Sequence, residues 1–342
     1  MNKNALFTFL LFLYSCNTSD QSNIKVERVS VDAEIITDSI HSSLPGVVIV
    51  INNYVVWQDV FASGKFLHVI DLNTKKEVGI LGDKGQGPKE FSSPNVSKAL
   101  NNRIFVFDYN TKRQAFFSLE NLLSGKDYYS PIPNNIKVKL KDNFRIIEFE
   151  ENQFVTLRPG SDYLLEHWNK RHYYSFGPFP IPESLCKRDR SNFFQGNIAY
   201  NSDLNKLVYS SYDFPYLAIY TKRGKYFKLH AEVKRMSDYS VSPAGELNWG
   251  PNKKRGPLEL ALTSDYIVTV ERDPKIDQTN EDEVGVDQMK LPHTVYLYDY
   301  DGNLKKIVDL GYPVLRIAAD IKNNILYAIV VMEDFVLVKY EL

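Results

Sequence analysis

Cysteine is almost missing from this sequence. Of 342 residues only Cys16 and Cys186 carry a thiol, so no disulfide framework holds the fold and packing must do so. Neither sign of charge is in excess: 41 basic against 42 acidic side chains leave a formal charge of −1. That excludes the broad basic field of a nucleic-acid binder, or of a protein drawn to anionic lipid. Beyond the N-terminal segment no apolar run reaches the ~20 residues that span a bilayer, which argues against a channel or transporter. Strong helix signals are absent. So are the strings that carry common chemistries: a His-Glu-x-x-His helix, paired Cys-x-x-Cys ligands or a Gly-x-Ser-x-Gly elbow. The six histidines, His41, His68, His167, His172, His230 and His293, are scattered with no obvious convergence. No motif calls for a cofactor or a metal.

What is present starts at the N-terminus. Lys3 precedes an apolar stretch at 5–14 that is too short to cross a bilayer. The quartet Leu13-Tyr14-Ser15-Cys16 is similar to the lipobox of bacterial lipoproteins, with a small residue ahead of the cysteine. The resemblance implies a signal peptide over 1–15 and lipid carried on the sulfur of Cys16, leaving Cys186 alone. An ordinary secretory signal with an incidental cysteine is the alternative. Residues 16–30 read as a flexible tether, polar and short of aromatics. Asp20 weakly echoes the acidic signals that send Bacteroidetes lipoproteins to the cell surface. The expected location is the cell envelope outside the cytoplasm, on the periplasmic or the surface side.

A repeat organises the rest. Short β-branched and aromatic runs begin at residues 54, 104, 154, 207, 266 and 326, at spacings of 50, 50, 53, 59 and 60. Each is followed by a polar turn and a second such run, from LHVID at 67 to FVLVKY at 335. Six matched pairs at this period predict a six-bladed β-propeller over 31–342, each blade having four strands. A β-sandwich has short strands too, but not six matched pairs. Gly224 in YTKRGK and Gly302 in YDYDGN stand where tight hairpins demand a positive φ.

Name the strands of a blade A to D from the axis outward. The last blade runs out of chain after its C strand, FVLVKYEL. The missing D strand is expected from AEIIT at 33–37, closing the ring and removing an exposed edge. D–A and B–C loops then share one face, here called upper, and the tether enters on the lower.

The segment GDKGQGPKEF, 82–91, is the most distinctive string. Together with the period and the lipobox it resembles the six-bladed, TolB-like propeller lipoproteins of Bacteroidetes, across essentially the whole mature chain. The resemblance implies fold and location and brings no catalytic residues. Physically it is a D–A loop opening at Gly82: Gly85 and Gly87 permit φ values other residues resist, and Pro88 stiffens the exit. Glu90 and Phe91 cap and plug the space between the first two blades. A weaker copy at 252–260 keeps Gly256, Pro257 and Glu259, and recurrence favours a structural device over a ligand loop. A phosphate loop is excluded, because Gly87 is followed by Pro88 and Lys89 instead of Lys-Ser/Thr opening a helix.

Polar residues recur at the outer ends of the B strands: Gln58-Asp59, Asp108-Tyr109, Arg158, Tyr212-Asp213, Glu271-Arg272 and Glu333-Asp334. In the expected register they ring the upper mouth and suit a polar ligand; the plainer alternative is that turns are polar because they face water. The long 271–293 connection is acidic, densest at Glu281, Asp282 and Glu283, and reads as an acidic flap; calcium on Asp277, Asp282 and Asp287 would lack an EF-type spacing. Residues 179–197 hold Cys186 and the basic Lys187, Arg188 and Arg190. The functional expectation is a monomeric binding or scaffolding module for a protein, peptide or glycan on the upper face. The alternative is a lactonase-like hydrolase or a lyase with a metal in the central tunnel, for which Glu148 and Asp320 are candidates. An architectural subunit of an envelope complex is the third reading.

Overall fold

The computed structural model describes residues 26–38, 40–139, 145–158, 160–170, 173–181, 185–235, 237–277 and 288–342. The segment expected to be a signal peptide, Cys16 and most of the expected tether lie outside the described residues, as do Glu281, Asp282, Glu283 and Asp287. Among the described residues six blades, each with four antiparallel strands, follow one another; one blade carries a fifth strand, and a two-stranded hairpin stands apart. Blade 1 consists of Pro45–Ile51, Tyr54–Asp59, Lys65–Asp71 and Lys76–Asp83, and the A strands of blades 2 to 6 begin at Pro94, Arg145, Gly196, Glu259 and Val314. The six-bladed propeller expected from the repeat is the fold.

The inner strands are continuous apolar runs, without the alternation of a half-exposed sheet, because each blade is covered on both faces by its neighbours. Ile104, Phe105, Val106 and Phe107 are all at most 1% exposed. Outermost strands alternate instead, as Tyr226–Lys234 does. The apolar interior accordingly divides into six clusters, one at each interface between adjacent blades. Asparagine shapes the A–B turns: Asn52, Asn102, Asn152 and Asn205 all take φ between 50° and 57°, a left-handed geometry asparagine tolerates better than most residues. Gly224 and Gly302 close C–D hairpins at φ +59° and +85°.

The ring closes through the N-terminus. Glu34–Thr37 pairs antiparallel with Phe335–Glu341, Glu34 opposite Lys339 and Ile35 opposite Val338, with a bulge before Thr37. Ile36, 6% exposed, drops into the interface between blades 6 and 1. One strand was not expected. Glu27–Ser30, inside the stretch read as tether, pairs parallel with Leu304–Asp309 as a fifth strand on blade 5. Val29 packs on the blade 5 and 6 cluster and Arg28 meets Asp273 at 2.9 Å. Val29, Val31 and Ala33 alternate with Ser30 and Asp32 and all three pack on that cluster, a run too short to stand out from its polar surroundings.

Two additions sit on the upper face of blade 4. The helix Lys187–Phe193 and the hairpin Tyr239–Val241/Leu247–Trp249 are tied together by Cys186 N–H to the Gly245 carbonyl and by Leu247 N–H to Asp189 Oδ2, both 2.7 Å. The indole of Trp249 lies 4.8 Å from the ring of Phe214.

Candidate functional site

The A strands of all six blades enclose a central tunnel of about 710 Å3. Its upper mouth is polar. Arg145 opens the A strand of blade 3, and its Nη2 donates to the Tyr212 hydroxyl at 3.0 Å. That hydroxyl donates to Asn197 Oδ1 at 2.9 Å, and Asn197 Nδ2 reaches the Leu258 carbonyl. From the other side Arg316 Nη1 donates to Glu259 Oε1 at 3.1 Å and to the Leu315 carbonyl. Four consecutive blades, 3 to 6, thus place two guanidiniums, a carboxylate, an amide and a phenol at one mouth, in two hydrogen-bonded groups. Burial pushes the Glu259 carboxyl up, opposed by Arg316 and Arg145. It also pushes the Tyr212 phenol up, against Arg145, so Tyr212 acts as a neutral hydroxyl. Two cations to one anion leave this mouth suited to a ligand with carboxylate or other oxygen acceptors.

The expected rim is only partly assembled here. Gln58 and Tyr212 line the tunnel, Gln58 also clamping blade 1 to blade 2 by donating to the Pro94 carbonyl at 2.9 Å. Asp108 is fully buried and accepts from the backbone N–H of Ser93, Asn110 and Thr111, so it builds its own turn. Tyr109 stacks edge-on against Phe107, its phenol pushed up to about 12 by burial. Arg158 pairs with Glu166 at 2.7 Å within blade 3. Asp213 faces Lys253 at 3.8 Å, and burial raises its carboxyl. Glu271 and Arg272 line a second, off-axis cavity of about 240 Å3.

In the loop 82–91, Glu90 folds back to accept from the Gly87 N–H at 2.7 Å. A β-carbon on Gly85, whose φ is +150°, would stand 2.0 Å from Glu90 Oε2. Phe91 is fully buried, edge-on to Phe117 of blade 2 and to Phe66 of blade 1. Lys84 Nζ reaches the Val60 carbonyl. The second copy behaves differently. Gly256 lies so close to blade 4 that a β-carbon would meet the Ser211 carbonyl oxygen at 1.9 Å, and Glu259 begins an A strand and turns into the tunnel.

Three of the described histidines pair within their own blades, His68 with Glu77, His167 with Gln153 and His293 with Asp309; His230 reaches Asp301 of the next blade, and His41 is exposed. Glu148 binds Arg103 at 3.2 Å and Asp320 caps its own turn, so the two tunnel carboxylates named from sequence do not converge. Asp277 accepts from the His293 N–H at the base of its long loop. Among the described residues no three His, Cys, Asp or Glu side chains are grouped to hold a metal ion.

A family model described as TolB-like 6-blade propeller-like matches residues 23–317. The chain belongs to that family. A search of functionally curated proteins finds no match. Among solved structures it is similar to a Bacteroides fragilis protein assigned as exported, at 11% identity and TM-score 0.57, covering 92% of this chain and 98% of that one. U3-55K aligns at 10% identity and TM-score 0.50, over 91% and 98%. A streptogramin B lyase aligns at 13% and 0.48, over 91% and 87%. At these identities the likeness is one of fold alone.

In this TolB-like propeller the residues that sequence reasoning missed are Arg145, Asn197 and Arg316. Each lies among the first three residues of an A strand. Superposing the six A strands, instead of the B-strand ends, would have found them.

Proposed function

We propose that the protein is a lipid-anchored binding module of the cell envelope, held through Cys16, that presents its upper face to a protein, peptide or glycan. The observation that carries this reading is the upper tunnel mouth, where Arg145, Tyr212, Asn197, Glu259 and Arg316 converge from four blades around a cavity large enough for a small ligand. Topology supports the orientation. Both N-terminal strands run from the lower side upward, since one is parallel to a D strand and the other takes a D position. The first described strand therefore starts on the side opposite the mouth, which supports an anchor on that side.

Glycan and peptide arrays probed with the mature domain test the proposal. A ligand retained by the wild type should be lost by Tyr212→Phe and by the paired change Arg316→Met/Glu259→Gln, and kept by Lys98→Gln, a tunnel-lining change at the lower end of the blade 2 A strand Pro94–Lys98. Loss confined to Lys98→Gln would overturn the orientation, and metal retained in stoichiometric amount would overturn the non-enzymatic reading.

A further inference from the structure

Beside the tunnel, and sharing Leu258 with it as a wall, lies the 240 Å3 cavity on the upper face between blades 4 and 5. Three connections build it. Arg235 leaves the D strand of blade 4, Lys254 and Arg255 come from the loop entering blade 5, and Arg272 lies just past the B strand of blade 5. Tyr296 forms an aromatic wall and Pro292 an apolar one.

The charge count is lopsided. Among the described residues the lining carries Arg235, Lys254, Arg255 and Arg272 and one carboxylate, Glu271; Lys253 and Asp213 pair with each other next to it, and Arg28 and Asp273, behind Tyr296, do the same. Glu271 is committed, because it binds Arg235, accepts from Thr269 Oγ1 at 2.6 Å and is approached by the Tyr298 hydroxyl. Asp213 meets Lys253, which itself lies over the Trp249 ring at 4.4 Å. Lys254 and Arg255 are exposed, with no carboxylate in hydrogen-bonding contact among the described residues.

The loop that carries them is held in place. Ser237 Oγ accepts from Lys254 N–H at 3.0 Å, and Gly256 N–H donates to the Tyr212 carbonyl at 2.8 Å with no room for a side chain. Arg235 lies over the Tyr296 ring at 5.4 Å, and Arg272 Nη2 is fixed on the Lys290 carbonyl at 2.6 Å. Cations held at set positions above an aromatic wall are the arrangement that binds an oxyanion on a ring-sized body. The second cavity is below the ~300 Å3 of drug-sized sites, so it fits one such unit.

We infer that this off-axis pocket is a second binding site, independent of the tunnel mouth, for a small organic oxyanion: a carboxylate or phosphate ester borne on a single ring. The Gly-Pro motif of blade 5 then has a use that its blade 1 relative lacks. It presses Gly256 against blade 4 so that Lys254 and Arg255 project beside Arg272.

Calorimetric titration of the mature domain with glucuronate, glucose 6-phosphate and glucose decides the matter. Binding is expected for at least one charged sugar, weakening as salt rises, and the tighter of the two identifies the oxyanion. Lys254→Gln/Arg255→Gln should weaken it by about tenfold or more, with an unchanged unfolding midpoint because both side chains are exposed. Tyr212→Phe should leave it unaltered, which separates this site from the tunnel. Equal binding of glucose, no binding of either charged sugar, wild-type affinity in the double variant, or loss in Tyr212→Phe would each overturn the assignment.

Discussion

Glu34 and Lys339 stand 305 positions apart in the chain and 3.2 Å apart in space, across the seam that closes the propeller. The ion pair marks the seam without being its main support: both groups are partly solvated, and such pairs contribute at most ~1 kcal/mol. Beneath it Ile36 and Leu337 are both buried in the apolar cluster between blades 6 and 1.

Replacing Ile36 with alanine should therefore cost about 2–4 kcal/mol, as for other buried aliphatic truncations, while Glu34→Ala should cost less than ~1 kcal/mol. Urea unfolding of the mature domain measures both. Equal midpoints for the two variants would show that the seam is not what holds the ring shut.

The loop after blade 1 should be sensitive at two points for different reasons. Phe91→Ala empties the space between Phe66 and Phe117 and is expected to cost about 3–5 kcal/mol. Gly85→Ala forces a β-carbon against Glu90 and should cost about 1–3 kcal/mol through strain. Adding Glu90→Ala should recover part of the Gly85→Ala loss and none of the Phe91→Ala loss, as read from thermal midpoints.

Breaking the tunnel pair should make stability depend on pH. The Glu259 carboxyl is already pushed up by burial, and Arg316 opposes that rise. In Arg316→Met it rises further above its unfolded value, so at high pH the folded state must hold a charge that the unfolded chain carries freely. That penalty is complete above the raised pKa and fades as pH falls through it. The expected loss is about 2 kcal/mol at pH 8, below the roughly 3–5 kcal/mol for breaking a fully buried pair because water reaches both groups. It should shrink at pH 5, and Arg316→Met/Glu259→Gln should lack the pH dependence. Denaturant midpoints at the two pH values provide the check.

Cys16→Ala should move the protein from the membrane fraction to the soluble fraction and abolish labelling with radioactive palmitate, since acyl chains provide the membrane affinity. Membrane retention without label would place the attachment elsewhere.

Much of this was legible in one dimension because propeller blades repeat locally. The runs IFVF at 104–107 and LVYS at 207–210 are apolar on both faces for the same reason, burial between neighbouring blades. Their spacing counts the blades directly, and the absence of a D strand after Phe335–Glu341 pointed to a donor near residue 35. The site was harder to read. Asp108 and Arg158 carry the same polar signature as Tyr212, yet one builds a turn and the other an intrablade pair. Turn polarity is shared by residues that bind and residues that only face water.

Sequence alone determined the number of blades, the strand that seals the ring and the glycines of the tight turns. These depend on local periodicity and on which φ values a residue tolerates. Only the tertiary structure decided that Arg145, Asn197, Glu259 and Arg316 share one mouth, that Arg235, Lys254, Arg255 and Arg272 share another cavity, and that two Gly-Pro loops of similar spelling serve different ends. Such groupings join residues from separate blades, and the distance between side chains there is set by how the ring curves, which no local pattern encodes.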